Sequence, residues 1–277
     1  MLENELALRI FFFVGIFAAV AIWEALSPKR VRLISRGIRW THNLSLVILS
    51  SLSMRLVIPF TAVGVAVFSY DRQFGLLHYL DVPFVVAVVM SLLMLDFLIY
   101  LQHVIFHHVP LFWRLHKIHH IDQEIDVTTG VRFHPVEMIL SALIKCAAVL
   151  LLGVPILAVV IFEILLNATA MFNHGNINLP KSVDRLLRLF VVTPDMHRVH
   201  HSVIPSETNS NFGFNLPWWD RIFRTYKAQP AAGHDGMKIG LQDYQDITKT
   251  DLWSLITIPF IWGSDKTPPD RNSSVVK

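Results

Sequence analysis

Three apolar runs, at residues 10–26, 44–68 and 82–101, leave this chain little choice but a lipid bilayer. Each can cross roughly 30 Å of hydrocarbon at about 1.5 Å per residue. The whole chain agrees with the runs. Only 16% of its 277 residues are charged, against about a quarter in soluble domains. A pI near 9.1 raises nucleic acid as a partner, but the net charge is only +3 and the basic residues flank the apolar runs. That is the placement a membrane surface selects. The first run follows Glu3 and Glu5 instead of a basic segment and no small-residue cleavage site closes it, so it reads as a retained span. Arg55 interrupts the second run, which predicts a break there, or an arginine that snorkels or pairs inside the bundle.

Basic residues set the orientation. Lys29, Arg30, Arg32, Arg36 and Arg39 crowd the first connection, whereas the second holds only Arg72. The positive-inside rule therefore puts the first loop, and the end of the third span, in the cytoplasm. A fourth apolar stretch, 138–172, is divided by Gly153-Val154-Pro155 into two helices short for a full crossing. A membrane hairpin of this kind returns its ends, which carry His134 and His174, to one face. Beyond residue 173 the chain is polar, and 252–262 suits an interfacial helix. The predicted fold is all-α: an integral membrane helical bundle of about three full spans plus a hairpin, under a cytoplasmic histidine-rich cap. Residues 1–91 form its N-terminal transmembrane region, 92–230 the histidine-bearing domain and 231–277 a C-terminal tail.

Fourteen histidines are the unusual feature of the composition. On a helix, Asp96, Tyr100, His103 and His107 fall within about 60° of one another. Two imidazoles at i, i+4 beside an intramembrane carboxylate point to a metal, while an isolated histidine would be a satisfied core residue. His108 lies off that stripe and reads as interfacial. His116, His119 and His120 share the spacing H-x-x-H-H, and His197, His200 and His201 repeat it about eighty residues later. The spacing puts three rings within about 100° of arc on a helix. One such triplet could be a pH-sensing or chance polar face; the repeat makes coincidence a poor explanation. Eight histidines exceed the four ligands of a tetrahedral zinc and suit two metals with open positions. Imidazole suits iron, copper, nickel and zinc alike. Cys146 is the only cysteine, so neither an internal disulfide nor a thiolate metal site can form. His42, His78 and His234 stand outside every cluster and read as structural.

The motifs H-V-I-F-H, H-K-I-H-H and H-R-V-H-H together resemble the three histidine boxes of the fatty acid hydroxylase / sterol desaturase superfamily. The likeness runs over 92–226, with further blocks R-F-H-P-V-E, F-N-H-G-N and W-W-D-R-I-F-R-T-Y. It implies a diiron centre, O₂ as co-substrate, a membrane lipid as substrate, and electrons from an external ferredoxin- or cytochrome-type protein with its reductase. It makes His174 an additional ligand. A further histidine that some relatives carry four residues later is Asn178 here, and His134 is the candidate to replace it, with a structural role before Pro135 as the alternative. The candidate metal ligands are thus His103, His107, His116, His119, His120, His134, His174, His197, His200 and His201. Asp96, Glu137, Asp195 and Asp220 are available to orient imidazoles, and Arg114, Arg132 and Arg198 read most simply as surface salt-bridge residues.

The expected activity is hydroxylation or desaturation of a lipid C–H bond, in a bacterial inner membrane or endoplasmic reticulum, with the site on the cytoplasmic face. A dizinc hydrolase of lipid esters is one alternative, although such sites usually include carboxylates. A non-enzymatic metal-binding protein or transporter is another, although that role favours ionisable groups near the midplane of several spans. No dinucleotide fingerprint or cysteine cluster supplies electrons from within the chain.

Overall fold

Inside hydrocarbon each amide must be satisfied within its own segment, so the apolar runs become helices. The computed structural model describes residues 5–245 and 251–261. Among them the secondary structure is helical apart from two isolated bridges, Pro28–Ile177 and Ser202–Ile239. Helix α1 spans Glu5–Leu26, α2 Arg36–Val57, α3 Ala62–Asp71, α4 Leu76–Tyr79 and α5 Phe84–His108. Helix α6 (Pro110–His120) turns away from α5, and α7 (Pro135–Leu152) and α8 (Ile156–Asn173) form the hairpin. The cap is built from α9 (Lys181–Leu187), α10 (Pro194–His200), α11 (Pro205–Thr208), α12 (Trp218–Ile222), α13 (Gly233–Gly236) and α14 (Leu252–Thr257). By length and composition, five stretches are able to cross a membrane: Ala7–Leu26, Arg36–Tyr79, Phe84–His108, Pro135–Leu152 and Ile156–Asn173. The chain is an integral membrane helical bundle.

The second expected span is displaced and broken. Its helix starts eight residues earlier, at Arg36, and stops at Val57. Pro59 has no amide to donate and holds Ile58 extended, at φ −110° and ψ 107°. Thr61 then restarts the chain as α3 by accepting from the Gly64 amide at 3.0 Å. Arg55 lies exposed on the last turn of α2.

The hairpin turns where its residues predict. Gly153 adopts the left-handed conformation at φ +69° and ends α7, and Pro155 precedes the first turn of α8. The turn packs so closely on Gly75 that a Cβ on Gly75 would stand 2.2 Å from the Gly153 amide nitrogen. Helix α7 packs on α2 and α3 and α8 on α1 and α5, with α3 lying against both arms and the Lys145–Glu163 ion pair joining them. Leu95, Val149, Val159 and Phe162 fill the bundle core between α3, α5, α7 and α8.

Basic residues of the first connection are spent internally. Arg39 is buried and pairs with Asp122 and Asp126; Arg32 and Arg36 pair with buried Glu24; Lys29 reaches Asp195 at 3.1 Å. These contacts lash the first loop to the cap. The tail follows suit: Leu255 and Ile258 are buried against Leu46, Ile118 and Ile121, so α14 seals the cap as well as exposing Trp253. Trp262, the end of the expected interfacial helix, lies outside the described residues, as does the rest of the tail.

Candidate metal centre

Three local devices aim the histidines. Val109 is extended and Pro110 starts α6 at once, so the helix carrying His116, His119 and His120 folds back over the end of α5. Thr193 accepts from the Met196 amide at 3.3 Å and Pro194 follows it, which fixes the start of α10 below His197, His200 and His201. The last turn of α8 delivers His174 as its C-terminal cap.

The result is two adjacent sets of imidazoles, all buried. One holds His103, His107, His116, His120 and His200; the other holds His119, His174, His197 and His201. Within each set the candidate ligand atoms lie within 4.8 Å of one another. The sets abut, with the rings of His120 and His201 stacked at 4.5 Å between centroids.

Hydrogen bonds on the outer side fix six of the nine rings. The Nδ1–H groups of His103, His174 and His200 donate to the carbonyls of Phe212, Ala170 and Ser210 at 2.7–2.8 Å. His119 donates to the Arg132 carbonyl at 3.3 Å and His107 to Asn209 Oδ1 at 3.3 Å. His116 donates to Glu137 Oε1 at 2.7 Å. With Nδ1 protonated, each Nε2 presents a lone pair inward.

Between His174 and His119, and between His103 and His116, both rings have Nδ1 so engaged, and their Nε2 lone pairs face each other. Nε2 of His174 stands 3.0 Å from Nε2 of His119, 3.0 Å from that of His197 and 3.2 Å from that of His201. Nε2 of His103 and His116 are 3.1 Å apart. Neighbouring ligands about 2.0–2.1 Å from one ion are spaced at about this distance. Nε2 of His107 and His200 and both nitrogens of His120 have no hydrogen-bond partner at all. Leaving such groups buried and unpaired costs on the order of 1–3 kcal/mol each. The residues fit two metal ions.

Electrostatics point the same way. Burial pushes His119, His120, His197 and His201 well below the ordinary imidazole value, with neighbouring imidazoles adding to it. Burial brings His174 down to about 4 and His200 to about 3. Neutral imidazole is the form that binds a metal.

The structure places His134 in neither set. Its Nδ1 accepts from the Val136 amide at 3.2 Å, and its Nε2 donates to the Ile256 carbonyl at 3.2 Å. The His134 ring turns to the Ile256 carbonyl of α14, whereas Glu137, three residues on, reaches His116, and the end of α8 delivers His174 to the histidine sets. His108 is exposed, with Nδ1 on the Val104 carbonyl at 2.8 Å.

Of the four carboxylates expected to orient imidazoles, Glu137 alone touches a candidate ligand, while Asp195 lies 3.7 Å from the His234 ring. Asp96 instead accepts from Asn215, Leu216 and Trp219, tying the cap to α5. Asp220 accepts from the Phe212 and Gly213 amides at 2.8 Å and so steadies the loop whose carbonyl holds His103. Asp195 pairs with Arg198 and Lys29. Arg132 and Arg198 are not surface residues; both are buried. Arg132 donates to Asn43 and to the Ile118 carbonyl, holding the segment that supports His119. The network of Arg39, Asp122, Asp126 and Asn43 below it carries no sequence signal, because none of these residue types is unusual in a basic connection or a polar loop.

Residues 88–225 match the family model for fatty acid hydroxylase. The chain is 28% identical over 148 residues to ornithine lipid hydroxylase OlsE of Rhizobium tropici, covering 53% of this chain and 44% of that one. It is 27% identical over 170 residues to alkylglycerol monooxygenase of Caenorhabditis elegans, covering 60% and 30%. The alkylglycerol monooxygenase of Danio rerio gives 27% over 189 residues, covering 67% and 40%. In each case the match spans less than half the relative's length. No solved structure matches the chain.

Proposed function

Because this chain belongs to the fatty acid hydroxylase superfamily, we propose that it uses O₂ to oxidise a C–H bond of a membrane lipid at two histidine-held irons. The observation that carries this reading is the pair of abutting imidazole sets, in which Nε2 lone pairs meet between His174 and His119 and between His103 and His116. His103, His107, His116, His120 and His200 would hold one ion, and His119, His174, His197 and His201 the other. Iron supplies the electron transfer that activates O₂ toward an alkyl C–H bond, chemistry that zinc lacks.

The protein's own part is to hold the rings, keep water out and admit the lipid. Outer hydrogen bonds from Nδ1 set ring orientation and raise the basicity of Nε2. Phe212 packs on His103, Trp113 on His107 and Phe133 on His119, with ring centroids 4.7–5.5 Å apart. These rings cover part of the histidine cluster, and His103 and His116 also line a cavity of about 420 Å³. Neither set includes a carboxylate among the described residues, which favours an oxygenase over a dizinc hydrolase.

Electrons come from a separate ferredoxin- or cytochrome-type donor with its reductase. The basic first loop, packed on the cap through Lys29 and Asp195, supports a centre on the cytoplasmic face. The relatives' names specify an ornithine lipid and alkylglycerols, and a polar membrane lipid is the substrate class we carry over.

The test is O₂ uptake by iron-loaded, chemically reduced protein in nanodiscs made with lipid extracts. Lipid-dependent uptake with a new oxygenated or unsaturated product is expected. No uptake with any extract, or a zinc-only form with esterase activity, would overturn the proposal.

A further inference from the structure

Two short helices of the cap, α9 and α12, turn apolar side chains outward. Leu186, Leu189 and Phe190 on and just after α9 are exposed, as are Trp218, Ile222 and Phe223 on and just after α12. Leu186 and Phe190 are each 61% exposed and Ile222 63%. Trp218 Nε1 donates to the Leu189 carbonyl at 2.7 Å, and Arg221 donates to the Arg188 carbonyl at 3.0 Å. The two segments therefore lie side by side, and their exposed side chains share one region of the cap. A contiguous apolar patch rimmed by polar residues marks a face that meets a membrane or another molecule.

The height of the patch narrows the choice. Phe223 stacks on Phe97 and Tyr100 of α5, with ring centroids 5.7 and 5.6 Å apart, and Trp219 packs on Phe97 at 4.9 Å. Trp219 Nε1 also donates to Asp96 at 2.8 Å. Asp96, Phe97 and Tyr100 stand about 18–24 Å along α5 from its first residue, Phe84, at about 1.5 Å per residue. The hydrocarbon of a bilayer is roughly 30 Å thick. Helix α12 thus packs on the flank of a spanning helix and not beyond its end. Phe223 remains exposed in that position, so the patch continues the lipid-facing surface of the bundle.

The exposed charges around the patch have one sign. Lys181, Arg185, Arg221 and Arg224 are exposed, whereas Asp184 and Asp220, the only acidic residues of 181–190 and 216–227, are buried. Asp184 is taken up by Arg188 and Thr193, and Asp220 by the Phe212 and Gly213 amides. Apolar side chains beside exposed cations suit the boundary between hydrocarbon and anionic headgroups. A soluble acidic protein would match the cations, but it would not meet a patch set alongside the apolar part of α5.

We propose that α9 and α12 form an interfacial foot that seats the cap on anionic phospholipid. Leu186, Phe190, Ile222 and Phe223 enter the lipid, and Arg185 and Arg224 meet headgroup phosphates. The foot is separate from the spans and does not depend on what the metal centre does.

The test has two arms, both on the full chain in nanodiscs. In the first, a nitroxide is attached to one introduced cysteine, with Cys146→Ala removing the native thiol. Labels at Leu186→Cys and Ile222→Cys collide more with O₂, which concentrates in hydrocarbon, than with a water-soluble nickel chelate. A label at Asp235→Cys on α13 shows the reverse. Chelate collisions that exceed those with O₂ at 186 and 222 mean that the patch faces water, as a soluble partner would need, and overturn the foot. In the second arm, phosphatidylcholine discs carry a trace of photoreactive phosphatidylglycerol or, separately, photoreactive phosphatidylcholine. Adducts on residues 181–190 and 216–227 are counted by mass spectrometry after irradiation. The anionic probe labels them at least about fivefold more, because one cation at an anionic surface contributes about that factor. Arg185→Gln with Arg224→Gln removes the preference, and Arg185→Lys with Arg224→Lys keeps it. Equal labelling of the wild type by both probes, or an unchanged preference in the folded double glutamine variant, overturns the headgroup contact.

Discussion

Glu137 offers a way to perturb one metal ion and leave the other alone. Its Oε1 accepts the Nδ1 proton of His116 at 2.7 Å, the only carboxylate–imidazole contact among the candidate ligands described. Both groups are buried, so solvent screens the bond little. Replacing Glu137 by leucine leaves the His116 Nδ1–H without an acceptor and lets the ring turn. Loss of such an outer partner typically weakens metal binding about 10–100-fold, or about 1.4–2.8 kcal/mol. Glu137→Gln keeps an acceptor oxygen but not its charge, so it should fall at the lower end, near tenfold. His116 belongs to the five-histidine set, and the four-histidine set has no bond to Glu137. Anaerobic Fe(II) titration against a chelator of known affinity resolves the two sites. The five-histidine site should weaken by the stated factor and the other should stay within about threefold. Equal weakening of both sites, or of neither, would refute the assignment of His116 and its partner.

Arg39→Met should strand buried Asp122 and Asp126 and lower stability by about 3–5 kcal/mol, read as a large drop in thermal midpoint in detergent. Arg39→Lys should recover only part of it, because one ammonium cannot reproduce the fork that bonds Asp122 through both Nε and Nη2. His134→Ala should cost about 1 kcal/mol as a lost helix cap while metal content stays at the wild-type value; loss of a metal from this variant would restore His134 as a ligand.

Eight of the nine histidines that the structure brings together stood out in the sequence by their helical spacing, and His174 stood out only through the family resemblance. His134 shares the residue type but not the place. Its ring turns to the Ile256 carbonyl of α14, a long-range contact that periodicity within the hairpin does not show. The outer partners were largely hidden for another reason: the acceptors at Phe212, Ser210, Ala170 and Arg132 are backbone carbonyls, which any residue could supply. The basic first loop was legible as charge but not as pairing. The positive-inside rule counts arginines without regard to partners, and Glu24, Asp122, Asp126 and Asp195 take up most of these charges. The break in the second span was half legible. Arg55 marked it, yet Pro59 makes it, by holding Ile58 out of the helix.

The central claim is that this chain holds two irons in two histidine sets, and metal analysis of anaerobically reconstituted protein tests it most directly. The account predicts two irons per chain in the wild type, with His200→Ala losing the one in the five-histidine set and His119→Ala the one in the four-histidine set. A single iron in the wild type, or two that survive both substitutions, would contradict it.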